Sequence, residues 1–156
     1  VLPRAAGEQA LVFATARGLV KRTPVEQFQS TRAGGVVAIT LGADDALLDV
    51  QLSDGHADLV LATRGGRAIR FAEAEVAPTG RNAQGVRGVK LGAGDALVGM
   101  LVAQRETALC VVTERGLMRR VPLVELPLQK RDGLGTALLG RGRGVGAVVA
   151  ACELAE

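Results

Sequence analysis

The chain has 156 residues, enough for one domain with its own core or for a run of small repeats. Hydrophobic residues make up 48% and charged residues 22%, a globular balance, while aromatics are only 2% with no Tyr or Trp, and the formal charge is +3. This composition excludes tyrosine chemistry and an aromatic platform for stacking single-stranded bases, and no apolar run approaches the ~20 residues of a membrane helix.

The opening Val1-Leu2-Pro3 starts inside an apolar segment, with neither an initiating Met nor a signal peptide. Residues 1–9 read as a remnant of a preceding unit or a linker, in a piece of a longer protein. A repeat follows. ALVFATARGLVKRTPVEQF from Ala10 aligns with DLVLATRGGRAIRFAEAEV from Asp58 and ALCVVTERGLMRRVPLVEL from Ala108. Thr15, Thr63 and Thr113 correspond, as do Gly18, Gly66 and Gly116, then Arg22, Arg70 and Arg120. Each copy continues into a glycine-bearing second half, from Gly34, Gln84 and Gly133, the last being the most diverged.

Within the first repeat, Leu11 to Ala14 and Leu19 to Thr23 are β-prone runs joined by the turn Ala16-Arg17-Gly18, the pattern of a hairpin. Pro24 to Phe28 reads as one helical turn, with Pro at its first position. Val36 to Leu41 and Ala46 to Leu52 read as two further strands around a Gly-Ala-Asp-Asp turn. Each repeat is therefore expected to hold about four strands, with blades at 10–57, 58–107 and 108–156 in one repeat domain. Four-stranded units of this length stack as propeller blades, because a lone sheet this small cannot bury its faces. A β-sandwich is the plainer alternative, and the joint recurrence of Thr, Gly and Arg argues against it.

The net charge conceals a segregation. Residues 17–40 carry +3 (Arg17, Lys21, Arg22 and Arg32 against Glu26), and residues 64–90 carry +4 (Arg64, Arg67, Arg70, Arg81, Arg87 and Lys90 against two Glu). Residues 115–143 carry +5, from Arg115, Arg119, Arg120, Lys130, Arg131, Arg141 and Arg143 against Glu125 and Asp132. The remainder is −9, much of it in Asp-bearing turns such as Asp44-Asp45 and Asp95. Equivalent positions on successive blades share one surface, so the recurrence predicts a basic belt with the acidic turns displaced from it. Such a belt suits a polyanion, because the planar guanidinium grips phosphate oxygens bidentately.

Other motifs carry less. Gly140-Arg141-Gly142-Arg143-Gly144 lacks the Gly-Lys-Ser/Thr of a phosphate-binding loop and reads as a loop on the basic rim. Asp44-Asp45 reads as turn chemistry and not as a metal or acid/base pair. His56 is the only His and reads as a surface residue. Cys110 and Cys152, far apart in sequence and without a CxxC pattern, disfavour a disulfide scaffold or zinc site and suit a reducing compartment. Cys110 is expected in the core.

The stretches ATARGLVKRTPVEQF and GRNAQGVRGVKLGAGDALVGMLV resemble the C-terminal DNA-wrapping domains of the DNA gyrase and topoisomerase IV A subunits. The resemblance covers residues 10–152. It implies an all-β pinwheel, a propeller-like disc whose blades exchange a strand with a neighbour, with double-stranded DNA wrapped on a basic rim. The expected DNA-binding residues are Arg17, Lys21, Arg22, Arg32, Arg64, Arg67, Arg70, Arg81, Arg87, Lys90, Arg115, Arg119, Arg120, Gln129, Lys130, Arg131, Arg141 and Arg143. The gyrase hallmark, a QRRGGKG box, survives in degenerate form as Gln129-Lys130-Arg131-Asp132-Gly133-Leu134-Gly135, with Asp132 replacing a Gly and Leu134 the Lys. The resemblance further implies a non-catalytic chain without a cofactor, in a cytoplasmic, nucleoid-associated parent enzyme that uses ATP and Mg2+. Its partners would be the other domains of the same polypeptide, together with an ATPase B subunit; no membrane role is implied. A propeller that binds an acidic protein is the alternative function.

Overall fold

The computed structural model describes residues 9–29, 33–103, 107–140 and 144–155. Eleven strands follow in chain order: β1 (Ala10–Thr15), β2 (Leu19–Pro24), β3 (Leu47–Ser53), β4 (Asp58–Thr63), β5 (Arg67–Ala72), β6 (Val86–Arg87), β7 (Leu97–Ala103), β8 (Thr107–Thr113), β9 (Met118–Pro122), β10 (Thr136–Ala137) and β11 (Val148–Ala155). Single 3-10 turns at Val25–Phe28, Glu73–Glu75 and Leu123–Glu125 follow the second strand of each hairpin. The first is the turn that Pro24 predicts.

Three antiparallel sheets result, ordered β3-β1-β2-β6, β10-β5-β4-β7 and β11-β8-β9. The recurrent Thr has a local cause. Its buried hydroxyl accepts the N–H four residues on, at 3.2 Å from Leu19 to Thr15, 3.4 Å from Arg67 to Thr63 and 3.2 Å from Leu117 to Thr113. Each hydroxyl thereby satisfies a backbone donor inside the hairpin bend.

The sheets cut across the sequence repeats. β6 belongs to the second repeat yet pairs with β2, Val86 opposite Val20, and β10 of the third repeat pairs with β5, Thr136 opposite Ala68. The strand exchange expected of a pinwheel is therefore present. Two glycines admit the exchanged strands: a Cβ on Gly85 would lie 2.5 Å from the Val20 carbonyl oxygen, and one on Gly135 2.5 Å from that of Ala68. Both also have positive φ, 95° and 69°, which only glycine adopts freely.

The exchange corrects one expectation. Val36 to Leu41 form no strand, and their counterparts in the later repeats are only two residues long. Pairing makes the strand: β6 and β10 each meet a hairpin from the preceding repeat, whereas Val36 to Leu41 pair with no hairpin among the described residues.

The core lies between sheets, as stacked blades require. Along β4, Leu59 and Leu61, with Ile69 of β5, face Val12 and Val20 of the first sheet, while Val60 and Ala62 face Leu109, Val111 and Val148 of the third. The alternation of one strand thus feeds two cores. Backbone hydrogen bonds join the blades at equivalent points: Thr79 N–H to Arg22 C=O and Gln129 N–H to Arg70 C=O, both 2.8 Å, and Leu97 N–H to Ala16 C=O and Val148 N–H to Arg64 C=O, both 2.9 Å. His56 is exposed and Cys110 is in the core, as expected. Distance in sequence misleads for the two cysteines, because Cys152 on β11 stands directly opposite Cys110 on β8.

Candidate functional site

The basic residues divide by where their side chains end. Lys21 is only 1% exposed, although it lies in the most basic half of its repeat. Its ammonium donates to the carbonyls of Ala38 and Arg81 and sits 5.0 Å from the centroid of the Phe13 ring. Burial, with a smaller contribution from the nearby charge of Arg81, holds its pKa below the ordinary lysine value.

Arg22 and Arg70 also turn inward, across the joints between blades. Arg22 Nη1 lies 3.5 Å from the carboxylate of Glu73, which is fully buried and also accepts from the Ser53 hydroxyl. Arg70 holds Asp58 through Nη2 at 2.6 Å and donates through Nη1 to the carbonyls of Leu123 (2.9 Å) and Leu126 (3.1 Å). The expectation that these three contact DNA is corrected to this extent: their charged ends are engaged by the protein, Lys21 over Phe13 of its own blade and Arg22 and Arg70, on the other face of β2 and on β5, at the joint with the next blade. Arg67 and Arg119 are also engaged with carbonyls, Arg67 with Leu134 at 2.8 Å and with Gly135, and Arg119 with Leu138.

The hairpin tips bring a second correction. Basic and acidic turns are adjacent there. Asp45 accepts the backbone N–H of Arg17 at 2.9 Å, and Arg17 Nε donates to the Asp44 carbonyl at 3.0 Å. Asp95 accepts from Gly65 N–H at 2.8 Å, beside Arg64. These aspartates fasten the turn of one strand pair to the tip of another, the backbone role expected of Asp44-Asp45. Arg64, Arg115 and Arg120 remain exposed on the surface.

Elsewhere the structure gathers what the sequence scatters. The degenerate box Gln129–Gly135 packs on the segment Val86 to Lys90 of the preceding repeat. Asp132 N–H donates to Gly88 C=O at 2.9 Å, and Lys90 N–H to Gly133 C=O at 2.9 Å. Gln129 turns inward and donates to the Thr136 hydroxyl at 3.0 Å, fixing the loop. Arg131 donates through Nη1 to the Arg87 carbonyl, and its own N–H is held by Glu75 at 3.0 Å. The result places Arg87, Lys90, Lys130 and Arg131 around one joint, tempered by Asp132 (2.8 Å from Arg87) and by Glu75 (4.0 Å from Lys130). Lys130 is 92% exposed and Arg87 63%, so their charge is presented to solvent.

The equivalent joint one blade earlier holds Arg81, half-buried, whose Nη1 lies 3.5 Å from Val37 C=O. Arg32, Arg141 and Arg143 lie outside the described residues. Among the described residues no group of three or more His, Cys, Asp or Glu could hold a metal, and no helix is long and apolar enough to cross a membrane.

Asp132 is the single non-glycine with positive φ among the described residues, at 66°. It stands where the box otherwise has Gly, and Asp is among the few side chains that tolerate the left-handed region. The loop therefore keeps the glycine conformation while adding a carboxylate beside Arg87. The substitution is visible in the sequence, whereas its partner, Arg87, comes from another repeat.

A family model described as "DNA gyrase C-terminal domain, beta-propeller" matches residues 9–54, 57–104 and 108–145. The A subunit of DNA gyrase from Haloquadratum walsbyi is 41% identical over 130 residues, which is 82% of this chain and 15% of that protein. Two solved structures align over nearly the whole chain. The C-terminal domain of a DNA topoisomerase IV has a TM-score of 0.90 at 28% identity, covering 98% of this chain and 48% of that one. A DNA gyrase A C-terminal domain has 0.85 at 26%, covering 97% and 50%. The chain thus spans about half of the solved domains and a small part of the full-length gyrase polypeptide.

Proposed function

The chain belongs to the DNA gyrase C-terminal domain family, and on that premise we propose that it binds and wraps duplex DNA, without regard to sequence, as a non-catalytic part of a type IIA topoisomerase. The cluster of Arg87, Lys90 and Lys130 at one blade joint, braced by Arg131, supports this reading most directly. Guanidinium and ammonium groups presented together to solvent bind phosphate oxygens. Phe13 and Phe71 are buried and half-buried Phe28 packs on Phe13, so no row of aromatic faces is offered to successive bases. Duplex DNA carries a charge every ~1.7 Å, so a path along successive joints meets phosphates continuously. In the parent enzyme this wrapping would set the sign of supercoiling, driven by ATP with Mg2+ on other domains. Those domains of the same polypeptide, together with a B subunit, would be the partners, in the cytoplasm at the nucleoid.

Binding of unrelated duplexes by the purified chain between 50 and 200 mM salt tests the proposal. Four neutralised phosphates correspond to a loss of about 100-fold over that range, similar for every sequence. Affinity that ignores salt, or no complex at low salt, overturns it. Ligation of nicked circles in its presence reads the wrap as a shift in linking number. A topoisomerase IV origin is the second reading, favoured by the 0.90 TM-score with that domain.

A further inference from the structure

The three blades carry equivalent cross-strand rows. In the first, Arg22, Val12 and Gln51 stand side by side on β2, β1 and β3, and in the second Arg70, Val60 and Leu101 do so on β5, β4 and β7. In the third the row is Arg120, Cys110 and Cys152 on β9, β8 and β11. Positions filled elsewhere by Val, Gln and Leu thus hold two thiols here, on adjacent antiparallel strands and in direct register.

Directly opposed residues of an antiparallel pair point to the same face, with Cβ atoms about 4.5–5.5 Å apart. Their Cα separation of about 4.5–5.5 Å lies within the 4.4–6.8 Å that a disulfide spans. A disulfide takes a Cβ separation of about 3.5–4.5 Å, so a small local closing of the two strands joins the sulfurs. Access is asymmetric: Cys110 is 3% exposed, and Cys152 is open to solvent.

We propose that Cys110 and Cys152 form a reversible cross-strand disulfide, with Cys152 the sulfur that reacts with a peroxide or a small-molecule disulfide and Cys110 the one that resolves it. With peroxide, the Cys152 thiolate attacks one oxygen, the O–O bond breaks, and the departing hydroxide takes a proton to become water. Cys110 sulfur then attacks the sulfenic sulfur of Cys152, the S–O bond breaks, and a second water leaves with the Cys110 proton. Two thiols and one peroxide give one disulfide and two waters, the two electrons passing from sulfur to peroxide oxygen. Two molecules of an added thiol reverse it, becoming a disulfide themselves. Burial, with a smaller contribution from Cys152 beside it, holds the Cys110 thiol above its ordinary pKa, which together with its burial makes it the less reactive of the two sulfurs.

The bond would staple β11 to β8 within the third sheet, on the face turned away from the second, because Leu109, Val111 and Ala151 fill the face that meets it. β11 packs on β7 so closely that a Cβ on Gly99 would lie 2.7 Å from that of Ala151, the neighbour of Cys152. Oxidation therefore ties the two strands of the third sheet together from its far side, and β11 holds its contact with β7 through Ala151.

The chain is treated with hydrogen peroxide or oxidised glutathione, blocked with an alkylating agent, digested and weighed. The expected result is a peptide pair joining Cys110 to Cys152, a loss of both free thiols, a monomer on non-reducing gels, and a midpoint of thermal unfolding raised by roughly 10 °C and restored by reductant. Cys152→Ser abolishes all of these, and Cys110→Ser leaves Cys152 to form mixed or intermolecular disulfides. Cys110 remaining alkylatable after Cys152 has oxidised, or dimers linked through Cys152 as the main product of the unaltered chain, overturns the proposal.

Discussion

Arg70 reaches from the second blade to the third, holding Asp58 of its own sheet at 2.6 Å and the carbonyl of Leu123 beyond the joint at 2.9 Å. Its position in the repeat is that of Arg22 and Arg120, and it reads as a rim residue until its partners are seen. Arg70→Ala leaves the Asp58 carboxylate and two carbonyls without their donor in a half-buried site, at an expected cost of about 2–3 kcal/mol. Urea unfolding is expected to show that loss. DNA affinity, corrected for the folded fraction, is expected to change by less than twofold.

Lys90→Ala behaves in the opposite way. The ammonium is on an exposed residue that the structure links to the box loop only through its backbone N–H, so stability is expected to stay within about 0.5 kcal/mol. If the side chain neutralises one phosphate, the slope of log K against log salt falls by about 1, equally for duplexes of different sequence. Titrations at four salt concentrations with two unrelated duplexes check both statements. A loss confined to one duplex contradicts phosphate contact.

Much of the fold was legible because its causes are local. The hairpin is encoded by a Gly at positive φ and a Thr whose hydroxyl caps the bend, and both recur at fixed spacing. The 3-10 turn follows Pro24 and Pro122, and in the second repeat it forms after Ala72. What stayed hidden depends on a partner from another repeat. Val36 to Leu41 look like a strand by composition, yet strand formation there requires a hairpin from a preceding unit. Lys21 and Arg22 are consecutive, one over Phe13 of its own blade and one at a joint, and a charge count over a window cannot separate them. Cys110 and Cys152 meet because β11 returns to β8, which no spacing rule anticipates.

Asp132 separates two effects that a single substitution usually mixes. Asp132→Gly removes the carboxylate beside Arg87 and leaves a residue at ease at φ 66°, so stability is expected to be unchanged or to rise by up to about 1 kcal/mol. Asp132→Ala removes the same carboxylate but keeps a Cβ in the left-handed region, with an expected cost of about 1 kcal/mol. Both variants free the Arg87 guanidinium, so both are expected to bind duplex DNA more tightly and with a steeper salt dependence. Equal DNA affinities with unequal unfolding midpoints would show the two effects side by side.

Gly135→Ala tests the strand exchange itself. The new Cβ would lie 2.5 Å from the Ala68 carbonyl oxygen and 2.8 Å from its carbon, at φ 69°, so β10 must leave β5 or the hairpin must shift. The expected loss is about 3 kcal/mol or more. Gly140→Ala, where a Cβ meets nothing within 4 Å, is the control and is expected to be nearly neutral. Hydrogen exchange should locate the loss at Ala68 and Thr136, with protection of the first sheet retained.

Lys21 gives the domain a pH dependence of definite sign. Its ammonium is buried, and its pKa in the folded chain lies below 10.5 chiefly because burial disfavours the charge. Unfolded chains keep the proton up to about 10.5, whereas the native state releases it earlier, so between the two values the unfolded state binds more protons. Stability contributed by Lys21 therefore rises with pH across that window, and the neutral amine can still donate to the carbonyls of Ala38 and Arg81. Lys21→Met keeps the length of the side chain but leaves both carbonyls unpaired, an expected loss of about 2 kcal/mol at pH 7. Unfolding of both proteins from pH 7 to 10.5 should show the advantage of the lysine chain widening as pH rises. A gap that narrows toward pH 10.5 would mean that the ammonium, and not the amine, is the form the fold prefers.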